Sequence, residues 1–190
     1  EEPVVWAYTA GMLIERLSKC AADKKIAAQF HEWLSGAGLL YLKKKNVKVA
    51  TVFTTHATIL GRTLANSNVD LYNVWDKINP DQEVYKYNIE SKHLVEKNSA
   101  AFADVFTTVS EITGMEASYL IKKKPDVLLP NGLDINRFPS FEEVVIKHKL
   151  QRDRIREFML YYFFPYYTFD PKETLIYFLA GRYEFHDKGI

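Results

Sequence analysis

Val52-Phe53-Thr54-Thr55-His56-Ala57-Thr58-Ile59-Leu60-Gly61-Arg62 is the stretch that decides how this chain reads. Val47, Val49, Val52 and Phe53 are apolar and mostly β-forming, so they predict a buried strand. Two threonines follow, and a helix-like run extends from Ala57 to Leu64. A strand that feeds a helix across a polar corner is half of a βαβ unit. In open α/β sheets, ligands bind beyond the carboxyl ends of the strands. His56 and Arg62 stand at such a corner, where an imidazole and a guanidinium would suit a sugar hydroxyl and a phosphate.

On the amino side, Val4 to Cys20 predicts an amphipathic helix with Trp6, Met12, Leu13 and Leu17 on its apolar side. Ala21 to Lys25 is a polar connection. Ile26 to Phe30 predicts a short buried strand ending in His31-Glu32-Trp33. Leu34 to Leu42 predicts a helix whose Gly36 and Gly38 would pack tightly against the sheet or bring backbone near a ligand. Lys43 to Asn46 closes that unit with a basic turn.

On the carboxyl side, Asn66 to Gln82 is rich in turn residues and reads as a surface excursion. Tyr87 to Phe102 predicts a helix. Ala103 to Ser110 then repeats the opening grammar of strand and paired threonines, with Ser110 as N-cap of a helix from Glu111. Lys122 to Pro125 is another basic turn, and Asp126 to Leu129 is a strand leading into Pro130-Asn131-Gly132-Leu133-Asp134. Phe141 to Phe164 is charged and helical, broken at Pro165. Thr174 to Ala180 is the most strand-like run in the chain, followed by the loop Gly181 to Gly189. Strands alternating with helices give an α/β, Rossmann-like, doubly wound parallel sheet.

At 190 residues, with 47% hydrophobic and 26% charged residues, the chain is long enough for a domain with a sizeable core. A formal net charge of +1 argues against nucleic acid as a partner. The single Cys20 excludes an internal disulfide and suits a reducing, cytoplasmic setting. No apolar run reaches bilayer length, so no membrane span is expected. Glu1-Glu2-Pro3 is neither a signal nor a transit peptide. It lacks an initiator Met, so the chain reads as an excerpt of a longer protein.

Six stretches together carry a resemblance: Phe30 to Leu34, Thr51 to Arg62, Asp104 to Ser110, Lys124 to Asp126, Pro130 to Leu133, and Ala180 to Phe185 with Lys188-Gly189. In order and spacing, over almost the whole chain, they resemble the UDP-glucose-using glycogen synthases (glycosyltransferase family three). Ser91-Lys92-His93-Leu94 departs from the His-Arg-Tyr-Cys of many animal and fungal members. The resemblance implies two Rossmann-like domains facing a cleft, the GT-B arrangement. Residues 1–134 would then be the back half of the first domain, 135–173 a helical crossing segment, and 174–190 the first strand and loop of the second. It implies that a glycine-containing loop lies before this chain. A donor-binding stretch with a glutamate and an arginine cluster for glucose 6-phosphate would lie after it.

The implied activity is retaining transfer of glucose from UDP-glucose to the non-reducing end of an α-1,4-glucan, by a homo-oligomer. The resemblance assigns Arg62, Arg182 and Lys188 to the donor diphosphate, where fixed cations meet developing negative charge. Read alone, each is more simply a solvated surface cation. The resemblance also assigns His56 to the donor glucose, Glu32 to sugar hydroxyls and Asn131 to a sugar contact. Glu32 reads as well as a helix N-terminal acid, and Asn131-Gly132 as ordinary turn chemistry. His31 and Trp33 read as packing residues. No His/Asp/Glu cluster has ligand spacing, so no metal or other cofactor is expected, and the cations could do the work of Mg²⁺. Tyr161 to Tyr167 reads as an aromatic contact surface or, less simply, a carbohydrate platform. An ADP-glucose-using synthase and a noncatalytic glucan-binding module are the alternatives.

Overall fold

The structure is a computed structural model that describes residues 2–181. It divides into two compact units, the first ending at Asn131 and the second beginning at Gly132. In the first, α1 (Glu2–Cys20) precedes β1 (Ala27–His31), α2 (Glu32–Lys44) and β2 (Ala50–Thr55). Four helices then follow: α3 (Ile59–Asn66), α4 (Leu71–Val74), α5 (Pro80–Lys86) and α6 (Glu90–Phe102). β3 (Val105–Thr108), α7 (Glu111–Leu120) and β4 (Val127–Leu128) complete it.

The four strands are parallel and lie in the order β1-β2-β3-β4. Each crossover among the described strands steps one strand in the same direction, without the reversal of order that the expected doubly wound sheet requires. Strand register places Phe30 beside Phe53, and Phe53 beside Phe106. This phenylalanine row is buried with Leu39, Leu42, Ala100 and Ile121 of the covering segments. Fully burying each ring stabilises by about 1.5–3 kcal/mol relative to leaving it in water. On the opposite face the strands meet through hydroxyls: Thr54 Oγ1 and Thr107 Oγ1 are 2.8 Å apart, and Gln29 Nε2 donates to Thr54 Oγ1 at 3.0 Å.

Several expectations need correction. β1 is an edge strand in which only Phe30 is buried, because no strand lies on its outer side among the described residues. α1 buries Ala7 and Gly11, while Trp6, Met12, Leu13 and Leu17 are exposed. Small residues win that face because the backbones approach closely: a Cβ on Gly38 would stand 2.5 Å from Ala7 O. Gly36 likewise faces Ser99 and Val95 of α6, and Gly38 also meets the Phe30 ring of β1, so the glycines of α2 serve close packing against helices and sheet.

The span from Asn66 to Gln82 is more than an excursion. Leu71 is buried with Leu60, Leu64, Val84, Ile89 and Leu120 in a second core, flanked by Val69, Trp75 and Ile78. His93 of α6 is also fully buried, with neither ring nitrogen hydrogen-bonded among the described residues. Burial depresses its pKa, aided by Lys97 and opposed by Asp81, so the ring stays neutral.

The second unit holds a 3-10 turn (Ile135–Arg137) and α8 (Phe141–Tyr162), whose N-cap Ser140 accepts from Glu143 N. Its aromatic run is solvent-facing among the described residues, with Tyr161 79% and Tyr166 81% exposed. Thr174 to Ala180 forms no strand there, and Phe178 is 83% exposed. Strand propensity alone does not hold a strand, and this unit offers no ladder partner among its described residues. No helix of the described residues is long and apolar enough to cross a membrane.

Candidate active site

Because the sheet is parallel, the carboxyl ends of all its strands share one rim. β1 ends at His31 and hands directly to Glu32, while β2 ends at Thr55 and hands to His56. The His31 Nδ1 and His56 Nε2 atoms are 3.1 Å apart. One ring must donate and the other accept, so the two imidazoles share a single proton across this contact. His31 therefore belongs to the rim and is exposed rather than packed, a correction to its sequence reading. Trp33 is half-buried, with Lys92 Nζ 5.3 Å from its ring centre.

Glu32 has φ 59°, a left-handed conformation that a side chain rarely adopts without compensation. In that pose its Oε1 accepts from His56 N at 2.9 Å. Two more carboxylates hold the same corner. Glu116 of α7 accepts from Thr58 N at 2.9 Å and from Thr58 Oγ1 at 2.5 Å, both on Oε1. Glu96 of α6 accepts from Ile59 N at 3.0 Å. Three helices thus each send a glutamate to one backbone N–H of a single loop.

The corner becomes a helix at Thr58, whose Oγ1 caps α3 by accepting from Gly61 N at 2.9 Å. A Cβ on Gly61 would overlap the Glu116 carboxylate, so only glycine fits between the helix and the acid. Arg62 follows, half-buried in the first turn of α3, with no ion pair within 4.0 Å among the described residues. A cation there opposes the helix dipole. The nearby glutamates offset it: Arg62 pulls down the pKa of both Glu96 and Glu116.

Burial is nonetheless the larger influence on both acids. It drives the Glu96 carboxyl well above its ordinary range, against the pull of the Ile59 N–H and with added repulsion from Glu32 and Glu116. It raises Glu116 too, against the two Thr58 hydrogen bonds. The Oε1 of Glu96 has no hydrogen-bond partner among the described residues although it is buried.

His56, Glu32 and Arg62 are therefore gathered at one rim, as parts of one corner. Asn131 is exposed three residues beyond β4, at the same end of the sheet. Arg182 and Lys188 lie outside the described residues. Sequence reasoning missed Glu96, Glu116 and the capping role of Thr58. For Glu116 the available signal was an acid between Met115 and Ala117 inside a helix, whereas Glu96, between Val95 and Lys97, carried none.

A rim that offers an imidazole, a guanidinium and a carboxylate can bind hydroxyls and an anion together. The glycogen synthase family model matches residues 1–190, the whole chain. The chain is 44% identical over 190 residues to a glycogen (starch) synthase of Dictyostelium discoideum, covering 100% of this chain and 22% of that protein. It is 41% identical over 186 residues to the human liver glycogen (starch) synthase, 98% of this chain and 26% of that protein. It is 40% identical over 189 residues to glycogen (starch) synthase isoform 2 of Saccharomyces cerevisiae, 99% of this chain and 27% of that protein. It spans about a quarter of the length of these relatives. With the whole chain matched and a parallel sheet presenting these side chains at its carboxyl rim, the chain belongs to the glycogen synthase family.

Proposed function

We propose that the full-length protein transfers glucose from UDP-glucose to the non-reducing end of an α-1,4-glucan, with retention at the anomeric carbon. The observation that carries this reading is the joining of His56, Glu32 and Arg62 in one loop-and-rim unit of a glycogen synthase family chain. In the transfer, the bond from glucose C1 to the diphosphate oxygen breaks and a bond to the acceptor hydroxyl oxygen forms. The bonding pair leaves on UDP, and the acceptor's proton passes to that departing diphosphate oxygen.

Arg62 supports the leaving diphosphate because a fixed guanidinium costs no reorganisation as charge builds there. In this reading Arg182 and Lys188 reach the same diphosphate from a second Rossmann-like domain, in a GT-B arrangement. Residues 1–134 then belong to the first domain, 135–173 to a crossing segment and 174–190 to the second. A cation from each domain would couple diphosphate binding to closure. His56 addresses the sugar side and shares its proton with His31. Glu32 gives one oxygen to the His56 N–H and keeps the other for a sugar hydroxyl. Asn131 adds a sugar contact. We place the activity in the cytoplasm, in a homo-oligomer, with cations of the chain doing the work a metal would otherwise do.

The test is glucose transfer to glycogen by the full-length protein, with UDP-glucose and ADP-glucose in competition. Transfer from UDP-glucose supports the reading. Glucan binding in a titration that shows no UDP binding would replace it with a noncatalytic module.

A further inference from the structure

Glu96 and Glu116 lie too deep to meet a sugar nucleotide, yet both are spent on the loop that carries His56 and Arg62. We propose that they are positioning residues, holding the Thr58–Ile59 backbone so that the His56 ring and the Arg62 guanidinium meet the donor. This rests on the glucosyl-transfer reading above.

Four observations carry it. First, long side chains reach the loop's polar groups: Glu116 Oε1 takes both the N–H and the hydroxyl of Thr58, and Glu96 Oε2 takes the N–H of Ile59. Second, Thr58 Oγ1 passes the hold onward, accepting from Gly61 N while donating to Glu116. Such chains strengthen each member. Third, Gly61 leaves room for the Glu116 carboxylate that any Cβ would take.

Fourth, the arrangement is a poor choice for stability alone. Glu96 is fully buried and Glu116 nearly so, Glu32 repels both, and one oxygen of Glu96 is unpaired among the described residues. Serine or asparagine side chains satisfy backbone N–H groups without burying charge. The acids instead tie one loop to two crossover helices, α6 and α7, that are separate from its own α3.

The experiment uses the full-length protein and kcat for glucose transfer from UDP-glucose to glycogen, counted per folded molecule. Glu116→Asp and Glu96→Asp keep the carboxyl group and lose one methylene of reach. Gly61→Ala displaces the Glu116 carboxylate without changing an acid. Each should lower kcat by roughly tenfold to 100-fold, the scale of a small misplacement of reacting groups. Glu116→Gln keeps the reach and loses the charge, and should stay within about threefold of wild type.

Any one loosened variant that is folded at the assay temperature decides the matter. Retention of wild-type kcat in it overturns the proposal, as does a Glu116→Gln loss equal to that of Glu116→Asp. If none of the three folds, the acids are structural and the positioning role is wrong. A wild-type protein that neither binds UDP nor transfers glucose instead refutes the parent reading, and this inference falls with it.

Discussion

Two corners of the sheet begin with the same words and end differently. β2 closes in Thr54-Thr55 and β3 in Thr107-Thr108, paired residue for residue across the ladder. After β3, the chain turns into α7 through a self-contained cap: Ser110 Oγ accepts from Thr113 N at 3.2 Å and bonds its hydroxyl at 2.9 Å. After β2, the chain runs three residues further, through His56, Ala57 and Thr58, and is held by Glu32, Glu96 and Glu116. A cap suffices to start a helix. On the positioning proposal, the additional acids at the first corner serve what that corner presents, an imidazole and a guanidinium with no ion pair among the described residues.

Substitutions that separate the corners should differ in kind. The largest effect is expected for His56→Ala, which should lower kcat for glucose transfer by about 100-fold or more while UDP affinity stays within about threefold. Steady-state kinetics beside a UDP titration checks this, and equal losses in both would move His56 away from the sugar. Thr58→Ala removes the cap and the relay to Glu116 together, and should cost roughly tenfold in kcat.

A pH effect comes next. The folded-state pKa of Glu96 is raised, so the native protein holds a proton that the unfolded chain loses as pH climbs out of the ordinary carboxylate range. Stability from this group is therefore present at low pH and is lost as pH rises through the raised value. Glu96→Gln removes that loss, so its melting temperature relative to wild type should rise more at about pH 8 than at about pH 5. A constant difference across that span would show that Glu96 does not titrate there. The smallest effect is expected at the second corner: Ser110→Ala should cost about 1 kcal/mol in thermal unfolding and leave transfer unchanged.

Much of the fold was legible in the sequence because it is written locally. The apolar run into Thr54-Thr55, its repeat at Thr107-Thr108 and the Ser110 cap all depend on neighbours within a few residues. The position of His56, Glu32 and Arg62 about one corner was legible for the same reason, since strand ends mark the rim of a parallel sheet. Long-range matters were hidden. Glu116 meets Thr58 from 58 residues away and Glu96 meets Ile59 from 37, so no spacing rule joins them. The α1 face was misread because Ala7 and Gly11 carry no hydrophobic signal, while Trp6 and Leu13 carry a strong one. The asparagines between Asn66 and Asn79 masked Leu71, whose burial depends on Leu64, Val84 and Leu120 elsewhere in the chain. Thr174 to Ala180 has strand propensity without a described partner to realise it.

The account turns on Arg62 as a cation held ready for a diphosphate. Titrating UDP into the full-length protein, wild type beside Arg62→Ala, tests this most directly. A charge-assisted contact predicts affinity weaker by about tenfold or more in the variant, with melting temperature little changed. Equal affinity in the two proteins would contradict it.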